Sequence, residues 1–218
     1  MIAVVDYCKG NLMSVLRGLT AVGADAVITD DPLVIATAEG IVLPGVGSFA
    51  DASATMQANG QMRVIRERIA AGAPFLGICL GLHLMFEEGT EGTDFEDEDV
   101  DNAVGLAVLP GVVTALPRLD HEGVAYKVPH VGWNSLEAAR PGCPLLSGIR
   151  PGEYFYFTHS FIAPDTPCTV ATTTHSCTFP SVVQYKDAAF GVQFHPEKSS
   201  DAGLALLGNF SHIVKGRG

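Results

Sequence analysis

Basic residues are scarce in this chain. Thirteen Lys and Arg stand against 24 Asp and Glu, a formal net charge of -11. Nucleic-acid binding needs a basic face to neutralise phosphates, so the composition argues against that class. Long apolar runs are also missing. No stretch approaches the roughly 18 residues a membrane helix needs, so no membrane span is expected. The start, MIAVVDYCKGN, has no basic n-region ahead of its apolar run and does not read as a signal peptide. Cysteines are few, and their number is odd. Cys8, Cys79, Cys143, Cys168 and Cys177 include no C-x-x-C pair, which predicts free thiols in a reducing cytoplasm. His121, His130, His175 and His212 have no metal-ligand spacing, and neither a metal nor a cofactor is expected. Charged residues make up 17% and hydrophobic residues 47%, which supports a sizeable core. With no internal repeat and no low-complexity linker, residues 1–218 read as one domain.

What is present is an alternation of strands and helices. Ile2 to Asp6 is a short Val-rich run, a buried strand. Asn11 then stands as an N-cap. Leu12, Val15, Leu16 and Leu19 fall at i, i+3, i+4 and i+7, one helical stripe that Gly23 stops. Ala26 to Thr29 and Ile41 to Leu43 read as strands. Met62, Ile65 and Ile69 mark a helix ended by Gly72. Pro74 to Ile78 is a fourth strand, with a helical pattern following through Glu88. This predicts an α/β, flavodoxin-like fold: a mostly parallel sheet flanked by helices. From Val104 to Phe194 the texture changes to short β-rich runs (AVLPGVVTAL, YKVPHVGW, YFYFTHSF, CTVATTT, SVVQY, FGVQF), read as antiparallel strands added to the parallel core. A last helix runs from about Ala202, with Leu206, Phe210 and Ile213 on one face.

The segment PFLGICLGLHLMF has the order strand, Gly77-x-Cys79-x-Gly81, helix, the cysteine version of the G-x-S-x-G elbow. A nucleophile needs a sharp turn at a strand end so that its side chain clears the sheet. Small residues two positions to each side let neighbouring backbone pass close. The following helix aims its N-terminus at the sulfur and favours thiolate. The Leu80 N–H is placed to stabilise an oxyanion. A buried structural cysteine is the plain alternative for this motif taken alone.

Near the C-terminus, FGVQFHPEKS sets His195 and Glu197 two residues apart. In an extended chain these point to the same side. The Glu197 carboxylate takes the proton of one imidazole nitrogen, and the other nitrogen accepts the thiol proton. Alone, His-x-Glu also fits a surface turn; with the Cys79 elbow it fits acyl transfer. Gly45-Val46-Gly47-Ser48-Phe49-Ala50 matches the dinucleotide pattern G-x-G-x-x-A, but it follows the third strand and Pro44 precedes it. It reads better as a tight turn whose N–H groups, near Val46, supply a second oxyanion donor.

GICLG, HPEKS, PGVGSF, VPHVGWN, DYCKGNLMSV and YFYFTHSF together resemble the glutaminase subunits of imidazole glycerol phosphate synthase, a branch of the class I glutamine amidotransferases. The resemblance runs essentially end to end. It implies that Cys79 attacks the glutamine side-chain amide to form a glutamyl thioester, that His195 shuttles protons and that Glu197 orients it. It implies an oxyanion hole from the Val46 and Leu80 amides, completed by a flip of the Val46 peptide. It implies a glutamine pocket lined by Gly47, His83, His159, Ser160 and Phe161. Ammonia would pass to a partner (β/α)8 cyclase subunit in histidine biosynthesis, forming a heterodimer. Asn11, Trp133 and Lys198 match positions at or near that interface.

Two departures stand out. Position 83 is His where the family has Gln; a histidine still donates a hydrogen bond, with different geometry and charge. Cys8-Lys9 replaces a pair that usually begins with a small residue such as Gly. Either change suits a paralogue feeding a different synthase; His83 alone also suits a catalytically silent regulatory subunit, and a stand-alone cysteine hydrolase is a more distant rival. From Glu87 to Asp101 there are nine acids and no bases. With Asp97 as position one, Asp99 and Asp101 fit a calcium loop, but Asn102 stands at position six and Val108 at position twelve. That is not an EF-hand, and a solvated loop is expected.

Overall fold

In a computed structural model that describes residues 1–93, 102–137 and 139–216, β1 (Ile2–Val5) lies one strand in from an edge of the central sheet. Ile2 and Val4 face one hydrophobic cluster, and Ala3 and Val5 face a second. The period of two puts alternate side chains on opposite faces, and here both faces are buried. The first half continues as α1 (Leu12–Ala21), β2 (Ala26–Thr29), α2 (Pro32–Thr37), β3 (Gly40–Gly45), α3 (Phe49–Ala58), α4 (Gln61–Ala70), β4 (Phe75–Cys79) and α5 (Leu80–His83). These four strands are parallel, in the order β2-β1-β3-β4, the flavodoxin-like arrangement. The expected strands and the helices α1 and α4 are present. Asn11 precedes α1, but its side chain makes no capping bond.

The helix expected through Glu88 is only α5. The carbonyls of Leu84, Met85 and Phe86 accept hydrogen bonds from the amides of Leu106, Val108 and Ala107, at 2.7, 2.9 and 3.2 Å. A distant segment thereby captures the backbone that would continue the helix. The chain becomes β5 (Phe86–Gly89), followed by β6 (Ala103–Val104) and β7 (Leu109–Ala115). Asp97, Asp99 and Asp101, weighed as calcium ligands, lie outside the described residues.

The β-rich second half is β8 (His130–Ser135), β9 (Tyr154–His159), β10 (Phe161–Ile162), β11 (Thr169–Thr174), β12 (Thr178–Tyr185) and β13 (Ala189–Val192). These strands divide three ways. β13 joins β4 in parallel, and β12 and β11 extend the sheet antiparallel, giving the order β11-β12-β13-β4-β3-β1-β2. β5, β6, β7 and β10 form a separate four-stranded sheet, in which β5 and β7 are parallel. β8 and β9 form an antiparallel ribbon. The expectation of added antiparallel strands therefore holds for β11 and β12; β13 joins the central sheet in parallel, and the remaining strands pair away from it. The final helix, α6 (Ser200–Lys215), packs with α1 on the face opposite α3 and α4. Among the described residues, no helix is long and apolar enough to cross a membrane.

Candidate active site

Cys79 ends β4 with φ 53° and ψ -106°, a backbone conformation that L-residues rarely adopt. Such strain persists where the surroundings over-determine it. Here Phe75, Leu76 and Ile78 are at most 1% exposed and fix the strand. The flanking glycines are a steric need. A Cβ on Gly81 would sit 1.8 Å from the Leu43 carbonyl oxygen, and one on Gly77 would sit 2.4 Å from the Gly81 oxygen. The elbow thus holds as the motif predicted, but its helix is a single turn and contributes little dipole.

His195 stands three residues past β13. Its N–H donates to the Tyr156 carbonyl at 2.9 Å. The chain then bends into a 3-10 turn, Pro196–Lys198, so the pairing with Glu197 comes from a turn and not from an extended strand. The turn is braced by Ser199, whose hydroxyl donates to the His195 carbonyl at 2.6 Å and accepts the Tyr156 N–H at 3.0 Å. His195 Nδ1 lies 2.9 Å from Glu197 Oε1, and the two side chains are 4% and 2% exposed. Burial alone would lower the imidazole pKa. The Cys79 sulfur and then the Glu197 carboxylate outweigh it and raise the pKa to about 9. Among the described residues His195 Nε2 has no hydrogen-bond partner in this geometry, yet the sulfur is near enough to exert that influence.

Cys79, Leu80 and His195 open on a cleft of about 420 Å³ that is also lined by Val46, Gly47, His83, Ser160 and Phe161. His159 lies on the same wall. Every residue expected in the triad, oxyanion hole and glutamine pocket borders this cleft except Glu197, which stands behind His195. The side chains do not all face it freely. His159 Nδ1 donates to the Phe161 carbonyl at 2.9 Å, and His159 Nε2 pairs with His130 Nδ1 at 3.0 Å. His159 therefore offers the cleft its backbone and ring face. Burial, opposed by the Phe161 bond, takes its pKa down to about 3. His83 is 3% exposed, and its Nε2 lies 2.8 Å from Gln193 Oε1. The N–H expected to reach a ligand is thus already used, and Nδ1, buried without a partner among the described residues, is left as an acceptor.

Three residues of the site escaped the sequence reading. Glu91 lines the cleft, and burial raises its carboxyl pKa to about 6 against the pull of the Phe49 N–H. It lies in the acidic run, where charge density hid it. Tyr7 is 1% exposed, with its hydroxyl packed against Gly45. Burial first and Cys79 second hold its phenol well above the usual range, while the Val46 N–H pulls it back. The third is Gln193, whose Nε2 lies 3.8 Å from the Cys79 sulfur. Its signal was a polar residue inside the apolar run FGVQF.

Trp133 is 51% exposed and meets Tyr156 edge-on at 6.1 Å, and Lys198 Nζ stands 5.9 Å over the same ring. These two interface candidates share one surface, and Asn11 is exposed at the start of α1. Lys9 pairs with Asp51 at 2.7 Å and lies against Gly47, so this departure from the family pattern touches the glycine turn itself. Among the described residues, no group of three or more His, Cys, Asp or Glu side chains is arranged to hold a metal ion.

A strained cysteine, a buried His–Glu pair and an adjoining cleft on a flavodoxin-like sheet have the composition that cysteine-dependent acyl transfer requires. The chain belongs to the class I glutamine amidotransferases, whose family model matches residues 3–213. Its fold is similar to a glutamine amidotransferase crystal structure at TM-score 0.70, with 16% identity and 99% and 100% of the two chains covered. Within the family it falls in the branch of the imidazole glycerol phosphate synthase subunits HisH. It is 44% identical to the Moorella thermoacetica subunit over 100% of this chain and 97% of that one. It is 41% identical to the Syntrophotalea carbinolica subunit over 98% and 100%.

Proposed function

We propose that this glutaminase hydrolyses glutamine at Cys79, with His195 and Glu197 completing a triad. The buried 2.9 Å contact between His195 Nδ1 and Glu197 is the observation that carries the reading, because it leaves Nε2 free for the sulfur. The Cys79 proton passes to His195 Nε2, and the sulfur attacks the side-chain amide carbon. The resulting oxyanion is held by the Leu80 N–H and by the Val46 N–H once that peptide turns toward the cleft. His195 returns the proton to the departing ammonia, leaving a glutamyl thioester. Water, deprotonated by the same nitrogen, releases glutamate. Glu91 pairs with the substrate ammonium, and Gly47, Ser160, Phe161 and the His159 backbone shape the pocket. His83 closes its inner wall.

Residues 1–218 act as one domain. Ammonia passes to a (β/α)8 cyclase subunit docked on the Asn11, Trp133 and Lys198 face, in the cytoplasm and without a cofactor, nucleic acid or membrane. The test is an electrophilic glutamine analogue. It is expected to add one equivalent of mass to the Cys79 peptide, and an adduct elsewhere would overturn the assignment.

A further inference from the structure

Gln193 is fully buried one residue beyond β13, between two side chains of the site. Its Oε1 lies 2.8 Å from His83 Nε2, and its Nε2 lies 3.8 Å from the Cys79 sulfur. The two ends of a carboxamide differ: the oxygen accepts and the NH2 donates. His83 Nε2 must therefore carry its proton, and the donor end of Gln193 is the one shown to the sulfur. Burial holds the His83 imidazole neutral, with a pKa of about 4, so it has one N–H to give. Of the two acceptors beside the ring, Gln193 Oε1 and the Phe161 carbonyl, the first takes it, at 2.8 Å. Turned the other way, the amide would set an oxygen against a sulfur that must become negative in order to attack. A buried amide with a fixed orientation costs little to reorganise at that moment.

We propose that the Gln193 N–H steadies the Cys79 sulfur as it turns anionic, and that His83 is a positioning residue that acts through Gln193 by locking the amide in that orientation. This rests on Cys79 being the glutaminase nucleophile. It gives the histidine at position 83 a task other than grasping glutamine.

The test separates kcat from KM. His83→Leu removes the N–H while filling the space. Assayed with the cyclase subunit and its nucleotide substrate, it should lower kcat for glutamine hydrolysis about tenfold and leave KM within about twofold. His83→Gln restores a donor and should recover kcat. Alkylation of Cys79 by iodoacetamide, followed on the Cys79 peptide, needs no glutamine. It should slow in His83→Leu and in the near-isosteric Gln193→Glu, and recover in His83→Gln. A raised KM at unchanged kcat would place His83 against the substrate and overturn the proposal. Alkylation unaffected by both His83→Leu and Gln193→Glu would overturn it as well. If the parent protein released no glutamate, the glutaminase reading would fail, and the alkylation rates would still decide whether Gln193 acts on the sulfur.

Discussion

Replacing Glu197 by Gln removes one charge from a pair whose side chains are 4% and 2% exposed. A hydrogen bond to a charged group contributes roughly 1.5–3 kcal/mol. At about 1.4 kcal/mol per factor of ten, its loss corresponds to roughly 10- to 150-fold. A second effect has the same sign. The amide of Gln can donate to Nδ1, which forces the proton onto Nε2 and stops His195 from accepting the Cys79 proton. The expected fall in kcat is therefore about a hundredfold or more. KM should hold, because Glu197 does not line the cleft. Steady-state glutaminase kinetics from pH 6 to 9.5 make the measurement. The His195 pKa, raised to about 9 in the parent, should drop in the variant. The same pair has a stability signature. A folded pKa above the ordinary 6.5 stabilises fully below pH 6.5, and the effect fades as pH rises through about 9. The melting temperature of Glu197→Gln should thus lie furthest below the parent's near pH 6 and approach it by pH 9.5. A kcat within threefold of the parent's would refute the orienting role.

Glu91, with its pKa raised by burial to about 6, should bind the glutamine ammonium weakly below that pH. KM should therefore climb as pH falls from 7 to 5, and Glu91→Gln should remove this dependence. Folding disfavours the Glu91 carboxylate, a penalty that is full above about pH 6 and absent below the ordinary 4.5. Glu91→Gln should accordingly melt higher than the parent at pH 7.5, with the gap closing toward pH 4.5. Gly81→Ala would press a methyl onto the Leu43 carbonyl, where the Cβ position lies 1.8 Å from the oxygen. A loss of about 3 kcal/mol or more is expected. At about 2–4 °C per kcal/mol, calorimetry should read a melting temperature lower by roughly 6 °C or more. Lys9→Ala breaks an ion pair whose partners are 40% and 63% exposed. Chemical denaturation should show almost no change in midpoint, as for exposed pairs in general.

The parallel half of the fold was readable because its strands are continuous apolar runs and its helices show a 3.6-residue stripe. Two helices were overlooked although their caps are written in the chain. Asp31 caps α2 with Pro32 in the first turn, and Ser48 caps α3 by accepting the Asp51 N–H. The apolar pattern after Cys79 misled because Leu84, Met85 and Phe86 fit a helix equally well; their carbonyls are claimed by residues some twenty positions away. Strand membership in the second half is likewise a matter of long-range pairing that no local pattern carries.

The triad was legible because strand, elbow and His-x-Glu each have a local signature. The geometry joining His195 to Glu197 was not, since Pro196 starts a turn where an extended chain was expected. Tyr7 and Gln193 are buried beside Cys79, and Glu91 is half-buried at the cleft. Burial of a single polar residue is the property a sequence shows least.

The central claim is that this chain releases ammonia from glutamine at Cys79 in the service of a cyclase partner. Glutamate release should therefore be measured for the purified chain alone and for the chain mixed with the cyclase subunit and its nucleotide substrate, using both the parent and Cys79→Ala. Release should be slow from the chain alone, rise steeply in the mixture, and be absent from Cys79→Ala in either case. Release that survives Cys79→Ala, or no release from the parent in the mixture, would contradict it.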